Sequence, residues 1–305
     1  MPTLPIAVAL ALALACLFRP ALGLSRARRL ASLIVWDATI LLTPLLIPAE
    51  ARFARFLGSV LAVAFAVKLY DLHLGAIRGR IPDARETFAF LINLTSVVER
   101  KLIAEPRYSR AEDVRRLGAM LGSTVPGIAL SWAAWHREWG EIPFVVEHVI
   151  KSFSFFLVAF PVACAGAALW RLLGQPAHEP MGDPLFSVTP ADFWRRYNRI
   201  AGQFFFEDVF KPLGGMRRPI TATLVSFAIS GVVHEYLFMI AAGRVQGYQM
   251  AVFLIQGIAS AATLRVRPRG PGKIVGLIVT LAFNLATARI FFASFDEIGP
   301  FYERR

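Results

Sequence analysis

Cysteine is nearly missing from this chain: Cys16 and Cys164 are the only two in 305 residues, and both fall inside long apolar runs. Two thiols build neither a disulfide framework nor a cysteine metal set, and they say nothing of redox compartment. Acidic residues are also scarce, 21 Asp and Glu against 33 Lys and Arg, for a formal net charge of +12. There is no P-loop and no G-x-G-x-x-G turn, so no nucleotide cofactor is implied. His73, His136 and His148 have no partner at metal-ligand spacing, and no metal is expected. His178 and Asp183 stand five apart, but Pro180, Gly182 and Pro184 interrupt any helix between them, so that pair is set aside. No linker, low-complexity tract or internal repeat is visible, and residues 1–305 read as one membrane domain. No basic residue precedes the first apolar run, and Arg26, Arg28 and Arg29 follow it. That order is the reverse of a secretory signal, so the run is read as a retained helix.

What the chain does have is apolar length. Hydrophobic residues make up 56% of it, its mean hydropathy is +0.55, and they lie in uninterrupted runs rather than alternating ones, which excludes an ordinary soluble enzyme. A bilayer core about 30 Å thick takes roughly 20 apolar residues per helix. Eight runs qualify, near 4–24, 30–48, 56–70, 117–135, 143–171, 219–241, 247–264 and 274–294. The fold expected is all-α: a polytopic membrane protein with about eight transmembrane helices plus interfacial or re-entrant helices. The run 56–70 is short and should extend into its flanks, whereas 143–171 is long and should tilt or break near Pro161.

Charge then sets orientation. With alternate loops taken as cytoplasmic, the segments 25–29, 71–116, 172–218 and 265–273 hold 22 Lys and Arg residues and the opposite loops and tails hold 6. That asymmetry is the positive-inside pattern, so both termini face away from the cytoplasm. The basic surface then meets anionic membrane lipids or anionic cytosolic substrates, and nucleic acid is not the expected partner. A composition rich in Arg and Ala suggests a GC-rich bacterial source and hence a bacterial inner (cytoplasmic) membrane.

Two cytoplasmic stretches exceed what a plain connection needs. The first, 71–116, contains the apolar piece Phe88 to Leu94, too short to cross, and then a charged section from Arg107 to Arg116; an interfacial or re-entrant helix is expected there. Gly118 and Gly122 just after it form a small-xxx-small pair that favours close helix packing. The second, 172–218, carries a helix start: Thr189 as N-cap, Pro190 at the first helical position and Asp192 near the positive helix end. The residues that follow, Phe193 to Arg199, mix aromatic and cationic side chains at helical spacing. They suit either a flat anchor helix in the headgroup layer or a substrate-gripping helix at the mouth of a membrane cavity.

His234 is the chemical focus. It interrupts the apolar run Leu224 to Val233 and is followed at once by Glu235, and ionisable residues within a span are a functional-site hypothesis by default. From Pro219 it lies about 22 Å along the helix axis, past the middle of a ~30 Å core. A neutral imidazole in a water-poor cavity is a suitable general base for an alcohol; the bland reading is a histidine satisfied by a neighbouring helix carbonyl. Glu235 points some 100° round the helix from His234, so only one of the two need line a cavity.

Three elements in sequence carry a resemblance. They are Pro190-Ala191-Asp192-Phe193-Trp194-Arg195-Arg196-Tyr197-Asn198, then Val209-Phe210-Lys211-Pro212-Leu213, then Phe227 to Tyr236 with Ser230-Gly231-Val232-Val233-His234-Glu235 inside it. In this order they resemble the F-W-x-x-R-W-N, aromatic-basic-Pro-Leu and S-G-x-x-H-E elements of the membrane-bound O-acyltransferase superfamily, in its wax-synthase-like branch. The resemblance covers about 185–240; elsewhere only the many-helix pattern agrees. Tyr197 stands where the family commonly has Trp, and the chain is short for the superfamily.

The resemblance implies acyl transfer from a coenzyme A thioester to the hydroxyl of a lipophilic alcohol, with acyl-CoA as co-substrate and no further cofactor. It puts His234 in the place of the catalytic histidine and Asn198 in that of the second active-site residue. Trp194, Arg195, Arg196 and Lys211 fall on the cytoplasmic side, where the polyanionic coenzyme would be held, and Glu235 is grouped with them as a substrate-binding candidate. A reading from another class is a proton-coupled transporter with His234 and Glu235 as an intramembrane relay; the absence of inverted-repeat symmetry counts against it. The sequence carries no signal for acyl length, acceptor or oligomeric state.

Overall fold

The computed structural model describes residues 3–98 and 108–302, and every regular element among them is helical. Arg107, in the charged section before the fifth helix, lies outside the described residues. The chain divides into two compact units, one of Met1–Ala104 with Val233–Gln246 and one of Glu105–Val232 with Gly247–Arg305.

The first unit holds α1 (Thr3–Leu17), α2 (Arg26–Leu42), α3 (Arg52–Ile77) and α4 (Ala84–Ile92). Along α1, Ala7, Ala11 and Ala15 are buried; their four-residue spacing makes one stripe of small side chains that lets neighbouring backbones come close. That stripe continues into a core of Phe18, Leu22, Leu33, Ile40, Phe65, Leu69 and Leu72. The short run at 56–70 does extend on both flanks, giving the 26 residues of α3. The apolar piece near Phe88 is α4, nine residues started by a reciprocal capping box between Asp83 and Glu86. Its other end is closed by Lys68, fully buried, whose ammonium donates to the carbonyls of Phe90, Leu91 and Asn93 at 2.8, 2.8 and 2.6 Å. Helix C-termini leave carbonyls without intrahelical donors, and one lysine here answers three of them.

The second unit holds α5 (Arg110–His136), α6 (Phe144–Leu172), α7 (Pro190–Arg196), α8 (Arg199–Phe204), most of α9 (Pro219–Ala242), then α10 (Tyr248–Thr263) and α11 (Gly272–Ala293). A second capping box, Ser109 with Glu112, starts α5. Gly127 is required where α5 crosses α6, since a Cβ there would stand 2.8 Å from the Leu157 carbonyl oxygen. α6 runs unbroken through Pro161, so the long run is accommodated as one 29-residue helix rather than by a break. The last described residues pack back onto the helices: Phe301 stacks on Phe292 at 4.0 Å. Beside it the Tyr302 hydroxyl meets His148 Nδ1 at 2.7 Å.

With 3-10 turns prolonging α1 to Gly23, α2 to Leu46 and α11 to Glu297, seven helices among the described residues are long and apolar enough to cross a membrane, and the molecule is a polytopic membrane protein. The eighth expected run, 247–264, is present as α10 with 16 residues, about 24 Å at 1.5 Å per residue and short of the ~30 Å core on its own.

Candidate functional site

The segment from Val188 to Leu213 is broken into short helical pieces. Thr189 caps α7 by accepting from the Asp192 amide at 3.1 Å, with Pro190 at the helix start, as its residues dictate. Asp192, buried at the first turn, accepts from the Val188 amide at 3.3 Å and from the guanidinium groups of both Arg195 and Arg196. Burial alone would raise this carboxyl, but those arginine bonds outweigh it and hold it below the ordinary carboxylate range. The helix is fixed to the bundle as well, its Ala191 amide donating to Thr263 Oγ1 on α10 at 3.2 Å.

α7 is shorter than the aromatic and cationic pattern suggests. It stops at Arg196, Tyr197 turns extended, and Asn198 adopts a left-handed conformation at φ 42°. The break is held open by the irregular segment 180–182. Gly182 donates to the Arg196 carbonyl and Arg199 to the Pro180 carbonyl, both at 2.8 Å, while the Asn198 amide meets Met181 Sδ at 3.3 Å. Asn198 Oδ1 then caps α8 by accepting from Ala201 at 3.2 Å. Its side chain is exposed, and among the described residues its side-chain nitrogen Nδ2, unlike its backbone N–H, donates to no acceptor. Asparagine tolerates the left-handed region better than most residues.

Trp194 is the hub of the aromatic packing. Its ring lies edge-on to Phe193, Tyr197 and Phe227 at 5.2 to 5.5 Å and tilted against Phe253 at 5.6 Å. Its Nε1 donates to Gln256 Oε1 at 2.8 Å. Downstream, Phe205–Phe210 winds as a π-helical turn, a distortion that often marks functional positions. Lys211 follows it, exposed, paired with the Glu207 carboxylate and 4.7 Å from the Phe206 ring.

Trp194, Arg195, Arg196, Asn198 and Lys211 thus fall in one unit, and each of the three cations already holds a carboxylate. His234 and Glu235 lie on the C-terminal part of α9, which belongs to the other unit. His234 is half-buried. The Glu235 carboxylate accepts from the Gln246 amide at 2.6 Å, tying down the turn after α9. The Tyr236 hydroxyl donates to the Leu41 carbonyl, and Phe238 packs on Phe56 at 4.9 Å, so the helix around His234 is held on α2 and α3. Among the described residues no group of three His, Cys, Asp or Glu side chains stands close enough to hold a metal ion.

Sequence reading passed over Gln256, Met181 and Gly182. Gln256 carries a signal, a lone amide in an apolar run of small and aliphatic residues, and polar side chains in such runs usually bond across helices. The loop residues carry none, because their role depends on a backbone pairing formed only in three dimensions.

No family model matches this chain. It is similar, at 25% identity over 166 residues, to a long-chain-alcohol O-fatty-acyltransferase of Simmondsia chinensis, covering 48% of this chain and 46% of that protein. A probable long-chain-alcohol O-fatty-acyltransferase 1 of Arabidopsis thaliana matches at 26% over 161 residues, 47% of this chain and 46% of that one. An acyl-CoA–sterol O-acyltransferase 1 of Arabidopsis thaliana matches at 28% over 165 residues, 48% of this chain and 47% of that one. The chain spans about half the length of the curated relatives it matches.

Proposed function

We propose that this chain is a membrane-embedded acyl-CoA-dependent O-acyltransferase that esterifies a lipophilic alcohol. The observation that carries the reading is the agreement between the motif order and the matched relatives. The motif order around Trp194, Lys211 and His234 points to acyl transfer, and so do the relatives, which are named for transfer to long-chain alcohols and to a sterol. A multi-pass helical body suits substrates that partition into the bilayer. The whole chain, 1–305, is read as one such domain, with α9 the element common to both units.

In the proposed reaction His234 is the general base. Its imidazole takes the proton of the alcohol as the oxygen attacks the thioester carbonyl; the tetrahedral adduct collapses, the carbon–sulfur bond breaks, and the thiolate regains the proton from the imidazolium. Products are an ester and free coenzyme A, and no cofactor is consumed. Asn198, with an amide nitrogen open to solvent, is assigned the positioning of the thioester or the stabilisation of developing negative charge. Arg195, Arg196 and Lys211 are assigned to the coenzyme's phosphates, which would compete with Asp192 and Glu207 for them. Trp194 is assigned to packing against the acyl donor, and Glu235 to the same substrate group through the turn it holds. A long-chain alcohol, giving a wax ester, is the acceptor favoured by two of the three relatives. The arginine- and alanine-rich composition is the ground for assigning a bacterial inner membrane, whereas these relatives are plant proteins.

The test is to reconstitute the purified chain in lipid, supply labelled acyl-CoAs with a panel of long-chain alcohols and sterols, and follow free thiol and new ester. His234→Ala is expected to abolish both signals while leaving the protein folded and inserted. Undiminished ester formation in that variant rejects the assignment of the base. Proton-driven solute flux with no thioester consumed would favour the transporter reading instead.

A further inference from the structure

Three helices of the second unit are joined by a hydrogen-bond chain whose direction is fixed. An indole N–H only donates, so the Gln256 atom facing Trp194 at 2.8 Å is the carbonyl oxygen Oε1. Its amide nitrogen Nε2 therefore faces α11, donating to Thr287 Oγ1 at 2.7 Å and to Asn284 Oδ1 at 3.3 Å. The Thr287 hydroxyl sends its own proton on to the Phe283 carbonyl at 2.9 Å. Gln256 and Thr287 are only 5% and 6% exposed, and in such surroundings a donor or acceptor left without its partner is strongly penalised. Reversing the amide would face two donors at the indole, so the arrangement has one stable state.

The neighbouring position removes any slack. A Cβ on Gly257 would stand 2.7 Å from Phe227 Cβ, so α10 lies hard against α9 and has no room to shift. Phe227 is one of the rings that clasp Trp194. Trp194 in turn meets Tyr197 edge-on at 5.4 Å, and Tyr197 is the residue before the left-handed Asn198.

We propose that Gln256 is a positioning residue for acyl transfer: held by α11, it fixes the Trp194 indole and, through Tyr197, the turn that presents Asn198. This rests on the acyl-transfer reading and names a residue on which it depends. Gln256 touches no reacting atom in this account; it acts through Trp194.

The experiment is a double-mutant cycle on the full chain in lipid, comparing wild type, Gln256→Met, Trp194→Phe and the double variant. Each single change is expected to lower kcat per folded molecule about tenfold, the loss of roughly one buried hydrogen bond's worth of transition-state alignment. KM for acyl-CoA should stay within about twofold in Gln256→Met, while Trp194→Phe, at a residue assigned to the acyl donor, is expected to raise it further; kcat of the double variant should be no worse than that of the poorer single. Emission from Trp194, isolated as wild type minus Trp194→Phe, should shift to shorter wavelength in Gln256→Met as its N–H loses a partner. A purely structural role would lower folded yield or melting temperature and leave kcat per folded molecule unchanged. Wild-type kcat in Gln256→Met, or losses that multiply in the double variant, overturns the proposal. If Gln256→Met does not fold, Thr287→Val combined with Asn284→Leu withdraws both acceptors of Nε2 while keeping Gln256, and unchanged kcat there overturns it equally. An active wild type with unaffected variants sinks this inference alone, whereas a wild type that never releases coenzyme A sinks the acyl-transfer reading together with it.

Discussion

Asn198 holds a conformation that costs an ordinary L-residue about 1–2 kcal/mol, and its side-chain amide has one observed partner and one proposed one. Oδ1 caps α8 through Ala201, and the proposed function gives the nitrogen to the thioester. Alanine would disturb both the turn and the amide, so it cannot tell them apart. Glycine can: it adopts φ 42° without penalty, and as an N-cap it costs only a few tenths of a kcal/mol. Asn198→Gly is expected to fold and melt like wild type while turnover falls about tenfold or more, the scale of losing one transition-state hydrogen bond. Wild-type turnover in that variant would make Asn198 a turn residue only. His234 stands out in the sequence as a candidate because ionisable groups in an apolar run, here with Glu235 beside it, are costly whatever surrounds them. Gln256 shows only a polar interruption of such a run, because its partners are Trp194, 62 positions away, and a threonine on another helix.

At the scale of elements, what local chemistry determines was legible and what tertiary pairing determines was not. The start of α7 follows from Thr189, Pro190 and Asp192 alone. Its end does not, because Gly182 donates to the Arg196 carbonyl and Arg199 to the Pro180 carbonyl, holding the Tyr197–Asn198 turn between them out of the helix. Likewise the apolar count gave α3 and α6, while the π-helical turn at Phe205–Phe210 left no mark in the aromatic pattern. The acidic start of α7 has a pH consequence. Because Arg195 and Arg196 hold the Asp192 carboxyl below its ordinary value of 3.8, the folded chain takes up that proton less readily than the unfolded one. Its contribution to stability is therefore in force above about pH 4 and is lost as pH falls through the depressed value. Asp192→Asn removes this dependence. Thermal unfolding of the two proteins between pH 3 and 7 should show the wild-type melting temperature falling more steeply at the acid end. Parallel profiles would mean that the two arginine pairs, both partly solvated, add nothing measurable.

Across the whole molecule, the open question of architecture is whether α10 crosses the bilayer. Its 16 residues span about 24 Å, less than a ~30 Å core, whereas the positive-inside pattern leads to the expectation of a crossing. The segment 265–273 after it holds four Lys and Arg residues and belongs with the basic loops, whereas the turn before it holds one. A short helix spans by local bilayer thinning or by lengthening through its flanks, at fractions of a kcal/mol per Å of mismatch. The buried polar side chains of α10, Gln249, Gln256 and Ser260, face protein rather than lipid, so they add no penalty to crossing. Cysteine scarcity makes the test clean. With Cys16 and Cys164 replaced by serine or alanine, single cysteines at Tyr248 and at Arg267 bracket the helix. A membrane-impermeant maleimide applied from one side of sealed vesicles is expected to label one position and spare the other, with Arg267 on the cytoplasmic face. Labelling of both from the same side would make α10 a re-entrant element. It would also reverse the side assigned to every loop that follows, and with it the claim that both termini face away from the cytoplasm.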